Sequence, residues 1–418
     1  MALKNIVGKS IASYSREHKV LYTASLMILF WSMFDGIISF ITPILIENHG
    51  YSKTAIGLII ASSSLAGAIF DFLISKLFKN THYVRLFLIL FFLSFTYPLL
   101  LWSANSTVLF IFCMAVWGLY YDVFNFGLFD FVSGNSEKEE HCQNFGIVSI
   151  FKSVGYLIAP IIASLIITDQ IISMSPLIYA FLFLIISAVF FVVLTSYSTR
   201  RGFHQGLEAK RKSIDWLREL KLWKNVSSIL YPVLIFNTML YIFDSTFWTI
   251  GPMFAENFKN VKDFSGLFMT TYTLPMLVTG WFVEPITRKF GKKRTAYFSF
   301  LGSSLLLISF GFIKNPYILL GVSLVSATLG SIAWPAIKGA YVDYITESKK
   351  YQGEIEGLND FTTNIGFVIG PALAGITADW FGIGAAFSFL GVFNFCLVVV
   401  LIFITPKHIR VAIKEAII

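Results

Sequence analysis

Charge is what this chain has least of. Only 13% of its 418 residues are Asp, Glu, Lys or Arg, against 56% hydrophobic, with 44 phenylalanines and a mean hydropathy of +0.73. A soluble domain carries roughly a quarter charged residues, so a wholly water-facing surface is excluded. Cysteine is nearly absent: Cys113, Cys142 and Cys396 form no spacing motif, which argues against disulfides and metal sites. The six histidines lie in loops or tails and do not cluster. No phosphate-cradling glycine loop, zinc pattern or nucleophile elbow occurs. Neither an enzyme nor an ATP-driven pump is expected, and no cofactor is called for. The first twenty residues are polar and basic, and the first apolar run is too long for a cleavable signal peptide.

What is present is a series of apolar runs about twenty residues long, the length that crosses a ~30 Å hydrocarbon core. Alternating ten-residue segments are missing, which excludes a barrel. Twelve spans are expected: 20–47, 54–78, 83–102, 107–133, 144–168 and 176–197, then 227–256, 264–287, 295–313, 317–343, 356–380 and 382–405. The expected fold is an all-α polytopic membrane protein. Its segments are an N-terminal stretch 1–19, a six-helix bundle 20–197, a basic linker 198–226, a second bundle 227–405 and a tail 406–418.

The net charge of +8 is topological and does not point to nucleic acid. Of 32 Lys and Arg, only Lys53, Lys259, Lys262 and Lys314 fall on the short-turn side, and Lys152 and Lys338 fall within spans. The remaining 26 share a side with both termini, which the positive-inside rule places in the cytoplasm. In the linker, Trp216, Leu220 and Trp223 recur at helical spacing and predict an amphipathic helix on the inner membrane surface. Asn105-Ser-Thr107 is a formal glycosylation sequon, but its loop is very short.

Two internal echoes show that the halves are duplicates. Phe34, Asp35, Pro43, Glu47 and Asn48 return as Phe243, Asp244, Pro252, Glu256 and Asn257, always 209 positions on, and Gly57-Leu58 returns as Gly266-Leu267. Gly146, Gly155, Ala159, Pro160 and Ala163 return as Gly357, Gly366, Gly370, Pro371 and Ala374, 211 positions on. Parallel repeats of six spans, related by an axis along the membrane normal, are a transporter arrangement with the site at the repeat interface.

Twelve spans as six plus six, a basic central linker and cytoplasmic termini resemble the major facilitator superfamily along nearly the whole chain. The span-five pattern is similar to that family's antiporter signature, departing from it at Ala159, Ala163 and Ser164. The loop-2/3 signature is present in degraded form. Asp71, Ser75, Lys76 and Phe78 occupy its places in the first half, and Glu284, Arg288, Lys289, Gly291, Lys292 and Lys293 do so in the second. Both copies move the acid one turn earlier, where Glu284 can pair with Arg288. In motif the chain is closest to the drug/proton antiporters.

Asp35 and Asp244 lie fourteen to sixteen residues into their spans, roughly 21–24 Å at 1.5 Å per residue. A carboxylate at that depth faces a partner or a wet cavity, and the resemblance implies that spans one, four, seven and ten line the cavity. Asp35, Asp244 and Asp122 are therefore candidate proton carriers, because desolvation disfavours the charged carboxylate. The competing reading is a structural aspartate bonded to a neighbouring helix. Candidate substrate contacts are Trp31, Phe34, Tyr120, Tyr121, Asn125, Tyr241, Phe243, Trp248, Trp334 and Lys338; pairing with an acid is the expected role of Lys338. Expected gating and packing positions are Asp71, Lys76, Asp130, Gly155, Pro160, Glu284, Arg288, Gly291, Asp343, Gly366, Gly370 and Pro371, with Lys152 and Asp360 in the inner third.

The function expected is secondary active transport by alternating access, driven by a proton gradient. Aromatic faces beside acids suit export of amphipathic or cationic compounds. The alternative is a proton symporter or facilitator for a small polar or anionic solute; a lipid flippase or a non-transporting ligand receptor stays open. The expected setting is a monomer in a cell membrane, prokaryotic by its compact Lys-, Ile- and Phe-rich build. Small molecules, protons and the lipid bilayer are its only expected partners.

Overall fold

In hydrocarbon no water satisfies backbone polar groups, so an apolar run must bond to itself as a helix. The computed structural model describes residues 2–77, 82–135, 141–167, 174–198, 216–256, 265–347 and 351–406. Those residues form twelve helices. The first six are α1 (Ala2–Asn48), α2 (Lys53–Leu77), α3 (Tyr83–Ser103), α4 (Thr107–Asn135), α5 (His141–Ile166) and α6 (Ser175–Ser198). The others are α7 (Trp216–Glu256), α8 (Ser265–Phe290), α9 (Lys292–Ile308), α10 (Pro316–Glu347), α11 (Gln352–Phe381) and α12 (Ile383–Ile404). Among the described residues, eleven are long and apolar enough to cross a bilayer, and α8, bent by 69° between Thr279 and Phe282, makes a twelfth. Pro285 withholds its N–H from the carbonyl of residue 281, which accounts for a bend there. Large apolar side chains such as Phe403, Phe312 and Val108 stand more than 70% exposed, as lipid-facing positions do.

Two helix starts differ from the expected spans. α1 is helical from Ala2, and α7 begins at Trp216, so the end of the linker is the first part of a span helix. The Trp223 indole fills the space over Gly357 and meets Phe361 on α11. The linker before Trp216 and the tail from residue 407 lie outside the described residues, as do Phe78 and the side chains of Asp71, Ser75, Lys76, Cys142, Trp216 and Leu220.

By contact the chain divides into two compact units, Met1–Leu45 with Leu65–Leu207, and Ile46–Ser64 with Glu208–Ile418. In the first unit α3 packs along α4, with Gly127 against Phe87 and Leu86. α5 meets α1 where Gly155 faces the Leu29 carbonyl and Ser32, and where Gly36 faces Ala159. Asp130 accepts from the Tyr83 backbone N–H at 2.6 Å and so caps α3.

In the second unit α7 and α11 form a long seam. Gly366 and Gly370 face the α7 backbone and Ser245, and Asn237 donates to Thr362 at 3.0 Å. The small residues expected as packing positions thus bring α5 to α1 and α11 to α7, the close approach such residues permit. Phe247, Phe254, Phe268, Phe310 and Phe387 build an aromatic core. The first half of α2 belongs to this unit for a local reason. Asp379 at the end of α11 accepts from the Lys53 and Thr54 backbone N–H groups at 2.9 and 2.7 Å, capping α2 where its orphan donors and dipole favour an anion. Beneath that cap, Gly57 faces the Pro371 carbonyl and Gly375 faces the Lys53 carbonyl.

A side chain at Gly375 has no room: its Cβ would lie 2.2 Å from the Lys53 carbonyl oxygen. Gly375→Val is expected to lower stability by about 1–3 kcal/mol, read as an earlier thermal unfolding midpoint in detergent. Gly384→Val, where the nearest atoms would be 3.6 Å away, is the milder control.

Candidate functional site

A buried carboxylate is tolerated only when donors replace the water it has lost. Asp35, fully buried on α1, has four. Its Oδ1 accepts from the Tyr120 hydroxyl and, at 3.5 Å, from the Trp117 indole N–H. Its Oδ2 accepts from the hydroxyls of Tyr121 and, at 2.6 Å, Tyr156. Trp117, Tyr120 and Tyr121 share one face of α4 because they stand at i, i+3 and i+4. Tyr156 reaches Asp35 from α5 because its neighbour Gly155 lets α5 lie against α1.

A second ring of aromatics holds these donors. Trp31 stacks on Phe124 at 4.4 Å, meets Tyr120 and Tyr121 edge-on, and donates its indole N–H to Ser94 at 3.0 Å. Tyr97 of α3 stacks with Trp117 and shares a 3.2 Å hydrogen bond with Thr42. The Lys152 ammonium lies over the Phe124 ring at 5.0 Å and the Tyr156 ring at 5.9 Å, a cation–π geometry. The first unit therefore holds a carboxyl group wrapped in neutral donors, with a positive charge one aromatic layer away.

The repeated acid has a different setting. Asp244 on α7 is half-buried and accepts from the Tyr272 hydroxyl of α8. Tyr272 stacks on Phe247 at 4.2 Å and 7°. Where Asp35 draws its donors from α4 and α5, Asp244 draws this one from α8, the counterpart of α2.

The remaining candidates separate by position. Phe34, Phe243, Tyr120 and Trp31 are fully buried. Asn125 is exposed, Trp248 is half-buried, and Asp122 abuts Gly67 on α2. Tyr241 meets Trp334 edge-on at 4.7 Å, and the exposed Lys338 places its ammonium 5.9 Å from the Trp334 ring centre. Lys338 forms no ion pair among the described residues, unlike the expectation from sequence, although Asp360 lies within its electrostatic reach. At the other expected positions, Asp343 pairs with Lys292 at 2.6 Å and Glu284 with Arg288 at 2.8 Å. Gly291 joins α8 to α9 at φ +86°, a backbone that only glycine adopts without strain. Pro160 and Pro371 are buried within α5 and α11. Sequence reasoning passed over Trp117, Tyr156, Tyr272 and Asp379. The helical spacing of Trp117 to Tyr121 was a signal for the first; the others needed the packing.

Comparison with known proteins adds the following. The family model described as Major Facilitator Superfamily matches residues 23–243 and again 233–416. By sequence, no curated protein matches. Among solved structures, the chain is similar to the nucleoside transporter NupG, at 11% identity over 93% of this chain and 100% of that one, TM-score 0.71. It is also similar to a bacterial homologue of the human lysosomal transporter Spinster, inward-facing and unoccupied, at 11% identity over 93% and 95%, TM-score 0.69. A third is the human organic anion transporter MFSD10 (TETRAN), at 14% identity over 91% and 99%, TM-score 0.61. These likenesses show the fold and do not single out the drug/proton antiporters.

The donor shell predicts a graded response in thermal unfolding. Tyr120→Phe removes one donor and should cost about 1 kcal/mol, whereas Asp35→Ala leaves all four donors without their acceptor and should cost about 3 kcal/mol or more. Equal, small losses from both would mean that the shell contributes little.

Proposed function

The chain belongs to the major facilitator superfamily, and we propose that it is a secondary active transporter of a small polar or anionic solute, coupled to protons at Asp35. The observation that carries this reading is a contrast between two charges. Asp35 is sealed among Tyr120, Tyr121, Tyr156 and Trp117, so it offers no open counter-charge to a cation. Lys338 stands exposed beside the Tyr241–Trp334 pair, an ammonium and two ring faces available to an anionic or ring-bearing solute. Lys152 adds a second positive charge near the sealed acid, which disfavours a cationic guest. The nucleoside and organic anion specificities of two similar proteins support the same class.

Alternating access, a monomeric state and a cell-membrane location with both termini inside complete the proposal. The inward termini are supported by the 26 of 32 basic residues that share their side. A second reading, outward movement of amphipathic cations, keeps one supporting feature in the half-buried Asp244 beside stacked aromatics.

The test is uptake into proteoliposomes under an imposed pH gradient, comparing a nucleoside, an aromatic carboxylate and a lipophilic cation. The proposal expects the polar or anionic solute to accumulate. It expects Lys338→Ala to weaken apparent affinity about tenfold, as loss of a charge-assisted contact does. Asp35→Asn should abolish the gradient's effect. Accumulation of the cation alone, indifferent to Lys338→Ala, would overturn the solute class.

A further inference from the structure

The oxygens around Asp35 raise a problem of counting hydrogens. Tyr121 and Tyr156 both donate to Oδ2, and their own hydroxyl oxygens lie 2.9 Å apart. Oδ2, Tyr121 Oη and Tyr156 Oη therefore form a triangle with three hydrogen-bonding edges. With Asp35 ionised, the two phenols bring two hydrogens, so one edge, the one between the tyrosines, has none. A single proton added at Oδ2 completes the set: each oxygen then donates once and accepts once around the ring. The other carboxylate oxygen is engaged separately, by Tyr120 and Trp117.

From this geometry we infer that the proton-binding element is the three-oxygen ring of Asp35, Tyr121 and Tyr156, with the two tyrosines as positioning residues that set its affinity and tie it to helix movement. The inference rests on the proton-coupled reading given above and specifies its site. The ring joins three helices. Its α1–α5 side is fixed by close backbone contact at Gly155 and Gly36. Its α4–α5 edge, between Tyr121 and Tyr156, is the one that gains or loses a hydrogen. Proton binding therefore draws α4 onto α5, and proton release loosens that edge. The phenols stay neutral throughout; the proton enters at Oδ2 and leaves from it. The titratable and charged groups facing the ring are Tyr120 on α4, Lys152 on α5, and Tyr97 on α3, which packs edge-on against Tyr120; Asp122 on α4 lies against Gly67 of α2.

The test reads the carboxyl group directly and needs no solute. Infrared difference spectra of the full-length protein in lipid nanodiscs, recorded across a pH titration, report the protonated carboxyl band, which Asp35→Asn identifies by removing it. Tyr156→Phe and Tyr121→Phe should each move the titration midpoint by about one pH unit, because the ionised carboxylate loses a charge-assisted donor and the protonated form loses the completed ring. Two double-mutant cycles then separate a ring from a set of independent donors. Tyr121→Phe with Tyr156→Phe should be non-additive by about fivefold or more in proton affinity, since either change alone opens the ring. Tyr120→Phe with Tyr156→Phe should be additive within about twofold, since those hydroxyls serve different oxygens. Additivity in both cycles, or a midpoint that neither tyrosine moves, would overturn the ring. If the coupled pattern holds while no solute follows the proton in proteoliposomes, the ring stands and the transport reading fails.

Discussion

Everything in the first unit is arranged so that one carboxylate can sit inside a hydrophobic slab. An isolated charge there is prohibitively costly, and the cost falls only if donors are brought to it from neighbouring helices. Asp35 receives them from α4 and α5. For α5 to deliver Tyr156, its backbone must lie close to α1, which is what Gly155 and the Gly36–Ala159 contact allow. For α4 to deliver Trp117, Tyr120 and Tyr121 together, Trp31, Phe124 and Tyr97 must hold their rings from behind. In this unit the small-residue seam and the aromatic rings behind α4 both serve that one electrostatic requirement.

The second unit shows how a duplicated solution diverges. Its seam is kept, with Gly366 and Gly370 pressing α11 against α7. Its acid is kept as well, but Asp244 accepts from Tyr272 on α8, and phenylalanines fill much of the surrounding core. The capping acids diverge in the same way. Asp130 caps α3 through a backbone N–H, whereas Asp343, near the corresponding end of α10, binds the Lys292 side chain at the start of α9. Acids near the same end of α4 and α10 are thus used differently.

What was legible in the sequence follows from the range of each interaction. Helix existence and most span limits are written in local hydropathy, so they were read to within a few residues except at the starts of α1 and α7. Asp35 stood out because a lone acid in an apolar run is rare whatever surrounds it. Its partners were only partly legible: Tyr120 and Tyr121 were picked because their helix lines the expected cavity, while Tyr156 looked like any other ring in a Gly-rich helix. Asp379 gave no signal at all, since a cap is normally supplied by the residue next to the helix and this one comes from more than three hundred positions away. Lys338 was assigned an acid partner by the cost of burying a charge, and that reasoning lapses because its side chain is exposed.

The central claim is that the carboxylate of Asp35 is where proton and solute meet energetically. The most direct measurement is the number of protons exchanged with solution when solute is added to the purified protein in weakly buffered detergent, followed with a pH indicator. The account predicts exchange of up to about half a proton per solute for wild type at the midpoint of the Asp35 titration, none for Asp35→Asn, and a retained signal for Asp244→Asn. A wild-type signal that survives unchanged in Asp35→Asn would contradict it.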